Sequence, residues 1–197
     1  MSRRQDISIR KAVAEDAAEL AVLMNSAGEG IPAYLWSRTA EPGMDIMAFG
    51  ARRVARTEGN FSFRNVHVAM LDSSLAGMLL SYRLSDPYDL GDLDQYPEIV
   101  RPLGELEAQV ADSWYINAVA TTESCRSRGV GKRLMALAED LAKQSGAHAL
   151  SLIVAERNHI ALNLYKKLGY QILAARPGTP IPGLPDHGSW LLMTKPV

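Results

Sequence analysis

Apolar side chains recur along the chain with two periods. Residues 7–12 alternate loosely between apolar and polar and predict a short strand. In residues 14–24, Ala17, Leu20, Ala21 and Met24 share one helical face, and Gly28 and Gly30 stop the helix. Residues 33–56 are mainly helical in pattern, with a break at Pro42-Gly43. Residues 65–71 and 76–84 are β-favouring runs joined by Asp72-Ser73-Ser74, the pattern of an antiparallel hairpin. Residues 86–104 hold Pro87, Pro97 and Pro102 among acidic side chains and predict a loop or partly helical insertion, followed by a short helix over 105–111.

The second half is more regular. Residues 114–120 form an apolar run expected to be a central strand, and a glycine-bearing turn follows at 126–131. Val130, Leu134, Leu137 and Leu141 then recur at helical spacing, predicting a helix to about Lys143 with Gly146 as its stop. Residues 148–154 read as a buried strand, 158–168 as a second helix ending at Gly169, and 170–173 and 189–193 as strands around a Pro/Gly-rich loop at 177–188. The helix from Val130 connects two strands, and a crossover helix returns the chain in the same direction, so those strands are expected to be parallel. The fold class is α/β.

Composition bounds the function. At 197 residues, with 47% hydrophobic and 22% charged side chains, the chain can bury a sizeable core without disulfide or metal staples, and a single domain over residues 1–197 is expected. The net charge of −1 argues against a nucleic-acid partner, which calls for an excess of Lys and Arg. A lone cysteine, Cys125, allows no intramolecular disulfide and fits a reducing compartment. The N-terminal residues carry no apolar leader, and no run of about 18 apolar residues occurs, so a soluble, cytoplasmic protein with no membrane partner is expected.

Arg126-Ser127-Arg128-Gly129-Val130-Gly131-Lys132-Arg133 is the most informative segment: it follows a strand, opens a helix and carries four cations. The first N–H groups of a helix have no internal partner, and the helix dipole adds partial positive charge there. Glycines leave those amides uncovered to an anion such as a pyrophosphate. The same spacing is also that of an ordinary helix start with a solvated basic face. Two phosphate motifs are excluded. A dinucleotide fingerprint needs a third glycine where Leu134 stands, and a Walker A loop needs Ser or Thr where Arg133 stands. Downstream, Asn158 and Tyr165 lie seven residues apart, about two helical turns, and so share one helix face.

These two segments together resemble the GNAT superfamily of N-acetyltransferases. The family's cofactor motif, Gln/Arg-x-x-Gly-x-Gly/Ala, is matched by Arg126-x-x-Gly129-x-Gly131. Its later motif is an Asn followed by a helix ending in Tyr-x-Lys-x-Gly-Phe/Tyr; it is matched by Asn158 and by Tyr165-Lys166-Lys167-Leu168-Gly169-Tyr170. The resemblance spans about residues 113–173. It implies a mixed, mostly antiparallel sheet that splays at a CoA site and is flanked by helices. It implies acetyl-CoA as co-substrate. Backbone groups of Val119, Ala120 and Thr121 would pair with the pantetheine arm. Arg126 and the turn Ser127, Arg128, Gly129, Val130, Gly131 and Lys132 would hold the pyrophosphate, and Asn158 would contact the pantetheine or order the local backbone. Tyr165 would sit near the thioester sulfur and protonate the leaving thiolate; without the resemblance, a half-buried aromatic anchoring its helix would be the reading of Tyr165.

The reaction implied is direct attack of a primary amine on the acetyl carbonyl, with an amide such as that of Val119 stabilising the oxyanion. The amine belongs to a small molecule or a peptide. Many relatives carry a Glu near the position of Asn117, and Asn cannot accept a proton, so Asn117 is expected to position a water. The nearest acidic side chains, Glu105, Glu107 and Asp112, are expected to be solvated charges. The missing strand carboxylate keeps a second class in view, a CoA-binding sensor or scaffold that transfers nothing. An acyl-cysteine route through Cys125 lacks an evident activating partner. His67, His148, His159 and His187 show no metal-ligand spacing, so no metal is expected, and His148 reads as structural. Trp36, Tyr34 and Trp114 fit either the lining of an acceptor pocket or core packing, and core packing is the expectation. Acidic residues between Asp86 and Glu107 favour a cationic acceptor if they face it. A homodimer is the oligomeric prior.

Overall fold

A computed structural model describes residues 6–197; the first five residues of the expected single domain lie outside the described residues. The strands are β1 (Ile7–Lys11), β2 (Val66–Leu71), β3 (Ser74–Arg83), β4 (Trp114–Thr121), β5 (Ala149–Ala155), β6 (Gln171–Pro177) and β7 (Ser189–Pro196). The helices are α1 (Ala17–Ala27), α2 (Ile31–Ser37), α3 (Ile46–Val54), α4 (Arg101–Glu107), α5 (Val130–Ser145) and α6 (His159–Lys167). The seven strands form one sheet in the order β1-β2-β3-β4-β5-β7-β6. Four of its pairings are antiparallel, and β4–β5 is parallel as the crossover argument requires. By contact the chain divides into two compact units, one running to Ser81 and adding Ala118–Leu137, the other Tyr82–Asn117 with Ala138–Val197.

In the first unit, β2 and β3 form the expected hairpin, with Leu71 opposite Ser74. The two turn residues Asp72 and Ser73 both take positive φ, 49° and 65°. That is the turn whose twist matches the strands it joins. Residues 76–81 of β3 are all buried, so both faces of this strand are covered. Helix α1 buries Ala17, Leu20, Ala21 and Met24, the face read from its spacing, and Leu23 beside them. Gly50 of α3 lies so close to Trp36 of α2 that a Cβ there would fall 2.3 Å from the ring, which makes Trp36 a packing group as expected.

In the second unit, β7 lies between β5 and β6 in antiparallel register, and α4 packs against β6 and β7. The β4–β5 ladder pairs Trp114–Ile116 with Leu150–Leu152. Ile153–Ala155 pair with Leu192–Trp190 of β7.

Several boundaries differ from the sequence reading, three of them with an evident cause. Helix α4 starts at Arg101 rather than Glu105, because Pro102 occupies the first turn, where its missing N–H costs no hydrogen bond. Strand β6 runs to Pro177, tolerated because β6 is an edge strand. Strand β7 runs to Pro196, its last residues paired with Ala149 and Leu150 of β5.

Candidate active site

The glycine turn belongs to the first unit. The chain leaves β4 with the Thr122 N–H donating to the Ala76 carbonyl at 2.9 Å, then makes a short 3-10 turn over Glu123–Cys125. Ser127 (φ 61°) and Gly129 (φ 86°) then reverse the backbone into α5. The φ at Gly129 is one that side-chain-bearing residues rarely adopt. The first helical bond of α5 runs from the Arg133 N–H to the Gly129 carbonyl at 3.0 Å, so the amides of Val130, Gly131 and Lys132 precede the ladder. A Cβ at Gly129 would meet nothing within 4 Å, and one at Gly131 only Thr121 Cγ2 at 3.9 Å. Neither glycine is there to avoid a clash. Arg126, Ser127, Arg128 and Lys132 are exposed around this opening, while Val130 is buried and roots the helix.

The root depends on a third glycine. A Cβ at Gly77 of β3 would fall 2.6 Å from the Ala120 carbonyl oxygen, 2.9 Å from Val130 Cγ1 and 3.3 Å from Leu134 Cδ1. Backbone, helix start and strand thus meet over a bare Cα. Cys125 is buried beside the turn; hydrogen bonding with Thr122 foremost, then Ser124 and Arg128, holds its thiol below the ordinary cysteine range. The thiol therefore has polar neighbours that the sequence did not reveal.

The second unit holds the other motif. The Asn158 side-chain oxygen accepts the Ala161 N–H at 3.1 Å, which makes this residue the N-cap of α6 and identifies it as a group that orders the local backbone. At the far end, Gly169 (φ 90°) lets the Tyr170 N–H reach back to the Tyr165 carbonyl at 3.0 Å, and the Gly169 N–H bonds Lys166 at 3.1 Å. This double closure stops the helix and points the chain into β6. Tyr165 is only 8% exposed, and its ring packs against Tyr170 with centroids 5.9 Å apart. Burial pushes its hydroxyl up to about 12, so it stays protonated at neutral pH.

Asn117 on β4 donates from Nδ2 to the Tyr82 hydroxyl at 3.1 Å. The Tyr82 ring meets Tyr115 edge to face at 5.8 Å. Beside them, the Tyr88 hydroxyl donates to Glu107 Oε2 at 2.6 Å, and Tyr115 also donates to this carboxylate. Glu107 is therefore not the solvated charge expected from the sequence; tertiary packing covers it, and burial raises its proton affinity against the lowering effect of the two phenols. Its neighbours in sequence keep to the surface: Glu105 pairs with Arg176 at 2.8 Å and Asp112 with Arg83 at 2.7 Å. Sequence reasoning missed the tyrosine cluster altogether, and no local signal marks it.

No group of three or more potential metal ligands occurs among the described residues. His148 corrects the sequence reading: it precedes β5 with its side chain 91% exposed, 4.0 Å from Asp112. The buried histidine is His187, stacked on Trp190 at 5.0 Å. No described helix is long and apolar enough to cross a membrane.

Comparison with known proteins identifies the family. The family model described as the acetyltransferase (GNAT) family matches residues 50–170, more than half of the chain. Among solved structures, one described as an acetyltransferase is 20% identical, with 96% of this chain and 99% of that one covered and a TM-score of 0.65. Drosophila melanogaster polyamine N-acetyltransferase, which forms N-acetylagmatine, is 15% identical over 98% of this chain and all of that one, at a TM-score of 0.68. An agmatine N-acetyltransferase mutant in its apo form is 16% identical with the same coverage, at a TM-score of 0.69. At such identities the structures speak for the fold, and the family match speaks for the chemistry: the chain belongs to the GNAT acetyltransferase family and is an acyltransferase.

Proposed function

We propose that the protein transfers an acetyl group from acetyl-CoA to a primary amine by direct attack. The carrying observation is that nothing crowds the two glycines at the start of α5: a Cβ at Gly129 would meet no atom within 4 Å, and one at Gly131 only Thr121 Cγ2 at 3.9 Å. The fold does not need a bare position at 131; an anion seated on the first-turn amides does. In this reading the amides of Ser127 to Lys132 hold the pyrophosphate, with Arg126 and Arg128 adding positive potential. The backbone of Val119, Ala120 and Thr121 pairs with the pantetheine arm in the manner of an added strand. Asn158 fixes the start of α6, and Tyr165 gives its proton to the leaving thiolate. Asn117, with Nδ2 engaged by Tyr82, presents Oδ1 to a water or to the amine N–H.

The first test is calorimetry with acetyl-CoA on wild type and Gly131→Glu. Gly131 has an ordinary helical backbone and a free Cβ position, and a glutamate in a first turn suits the helix dipole, so the variant should fold. Its side chain would occupy the anion seat and is expected to weaken binding by about 30-fold or more. Equal affinity in the two proteins would remove the turn from the cofactor site. Release of free thiol on adding agmatine, spermidine or a short peptide then separates an enzyme from a CoA-binding sensor.

Cationic amines come first in that screen. Asp86, Asp89, Asp92, Asp94 and Glu98 are all exposed on the segment before α4. If this field draws the acceptor in, KM for agmatine should rise with ionic strength, and an unchanged KM would dismiss the steering.

A further inference from the structure

We propose that Glu107 is the proton acceptor for the incoming amine, reached through the Tyr88 hydroxyl. The inference rests on the acetyl-transfer reading above, and its support is geometric. Glu107 is the last residue of α4, at the negative end of the helix dipole, where a carboxylate is disfavoured. It is largely covered, and it has no ion-pair partner among the described residues. Its polar neighbours are phenols: Tyr88 from the segment after β3, at 2.6 Å, and Tyr115 from β4, with Tyr82 from β3 against the Tyr115 ring. The nearby cation Arg176 of β6 is taken by Glu105 at 2.8 Å. A glutamine would accept the same two hydrogen bonds without the cost of a buried charge. Burial, the helix end and the absence of a cation all press this side chain toward holding a proton, which is the property a base needs near neutral pH.

The cluster also adjoins the strand position that faces the chemistry in the proposed reaction. Tyr82 is bonded to Asn117, so carboxylate, phenols and amide form one polar patch within the second unit. The protons balance as follows. The ammonium R–NH3+ gives one proton to the Tyr88 oxygen as the Tyr88 O–H proton moves to Glu107 Oε2, leaving R–NH2 and a neutral Glu107. The amine nitrogen bonds to the acetyl carbon, and the C–S bond breaks. The second nitrogen proton is matched by the one the departing thiolate receives from Tyr165, whose phenolate is reprotonated by it. Glu107 returns its proton to solvent, so the sum is an amide, a thiol and one released proton.

The test compares kcat/KM against pH for wild type, Glu107→Gln and Tyr88→Phe, with spermidine and with hydroxylamine as nucleophiles. Hydroxylamine is largely uncharged at neutral pH and has no first proton to lose. Both variants should lose about 100-fold with spermidine at neutral pH, the loss shrinking as pH rises toward the ionisation of the free amine. With hydroxylamine they should stay within about threefold of wild type. Equal losses for both nucleophiles would mark a structural role and overturn the proposal, as would an unchanged spermidine profile in either variant. A wild type that acetylates neither nucleophile would instead sink the transfer reading, and the inference with it. An isotope-edited infrared titration of the Glu107 carboxyl needs no acceptor: protonation above the ordinary glutamate range is expected, and titration within that range overturns the proposal.

Discussion

Tyr165→Phe should lower kcat for amine acetylation about 1,000-fold while leaving acetyl-CoA affinity within about twofold of wild type. Phe keeps the ring that packs on Tyr170 and fills the same 8%-exposed site, so α6 and its closure at Gly169 are retained. Only the hydroxyl is lost. With its pKa pushed up to about 12, that hydroxyl is protonated throughout the working range. It becomes a strong donor only when charge appears on the sulfur, which places its contribution in kcat rather than in binding. It also adds no basic limb of its own to the pH profile near neutrality. Steady-state kinetics with calorimetry of the same preparations decides the matter. A Phe variant with wild-type kcat would reduce Tyr165 to a packing aromatic.

Gly77→Ala should destabilise the protein by about 3 kcal/mol, and Gly77→Val should prevent accumulation of folded protein. The added methyl would lie 2.6 Å from the Ala120 carbonyl oxygen and 2.9 Å from Val130 Cγ1. The first is backbone and has no rotamer to move into. The second belongs to a residue that is 1% exposed and holds the start of α5. Relief therefore requires the strand backbone or the helix start to shift, and either shift moves the glycine turn. Acetyl-CoA affinity should fall along with the denaturation midpoint, although Gly77 contributes no group to the turn. A midpoint equal to wild type would show that this packing yields easily.

The second half of the chain was legible because its signals are local. Val130, Leu134, Leu137 and Leu141 recur within one helix, Gly129 and Gly146 bracket it, and the strand–helix–strand order then dictates parallel β4 and β5. The turn Asp72-Ser73 was legible for the same reason. Helix α4 was placed too late because a proline at a first helical turn and a proline in a loop look alike until the partners are known. The ends of β6 and β7 were missed because pairing, not β-propensity, carries β6 along β7 as far as Pro177 and β7 along β5 as far as Pro196. Glu107 was the largest miss within the site. Its partners lie 19 residues upstream and on a strand after α4, and nothing in a charged side chain announces that two phenols will cover it. Asn158 was half legible: its place in the motif was evident, but its capping bond to Ala161 needed coordinates.

Glu107 also bears on how this enzyme would respond to selection. A carboxyl whose folded-state pKa is raised supports the native state most fully below its unfolded-state pKa, and that support is lost as pH rises through the folded value. At neutral pH, then, an uncharged side chain of the same shape is the more stable occupant. A mutant library sorted only for heat survival should enrich glutamine at position 107, and would discard turnover while appearing to improve the protein. A lineage that keeps the carboxylate reveals that it is being screened for what the protein does, not for how well it holds together.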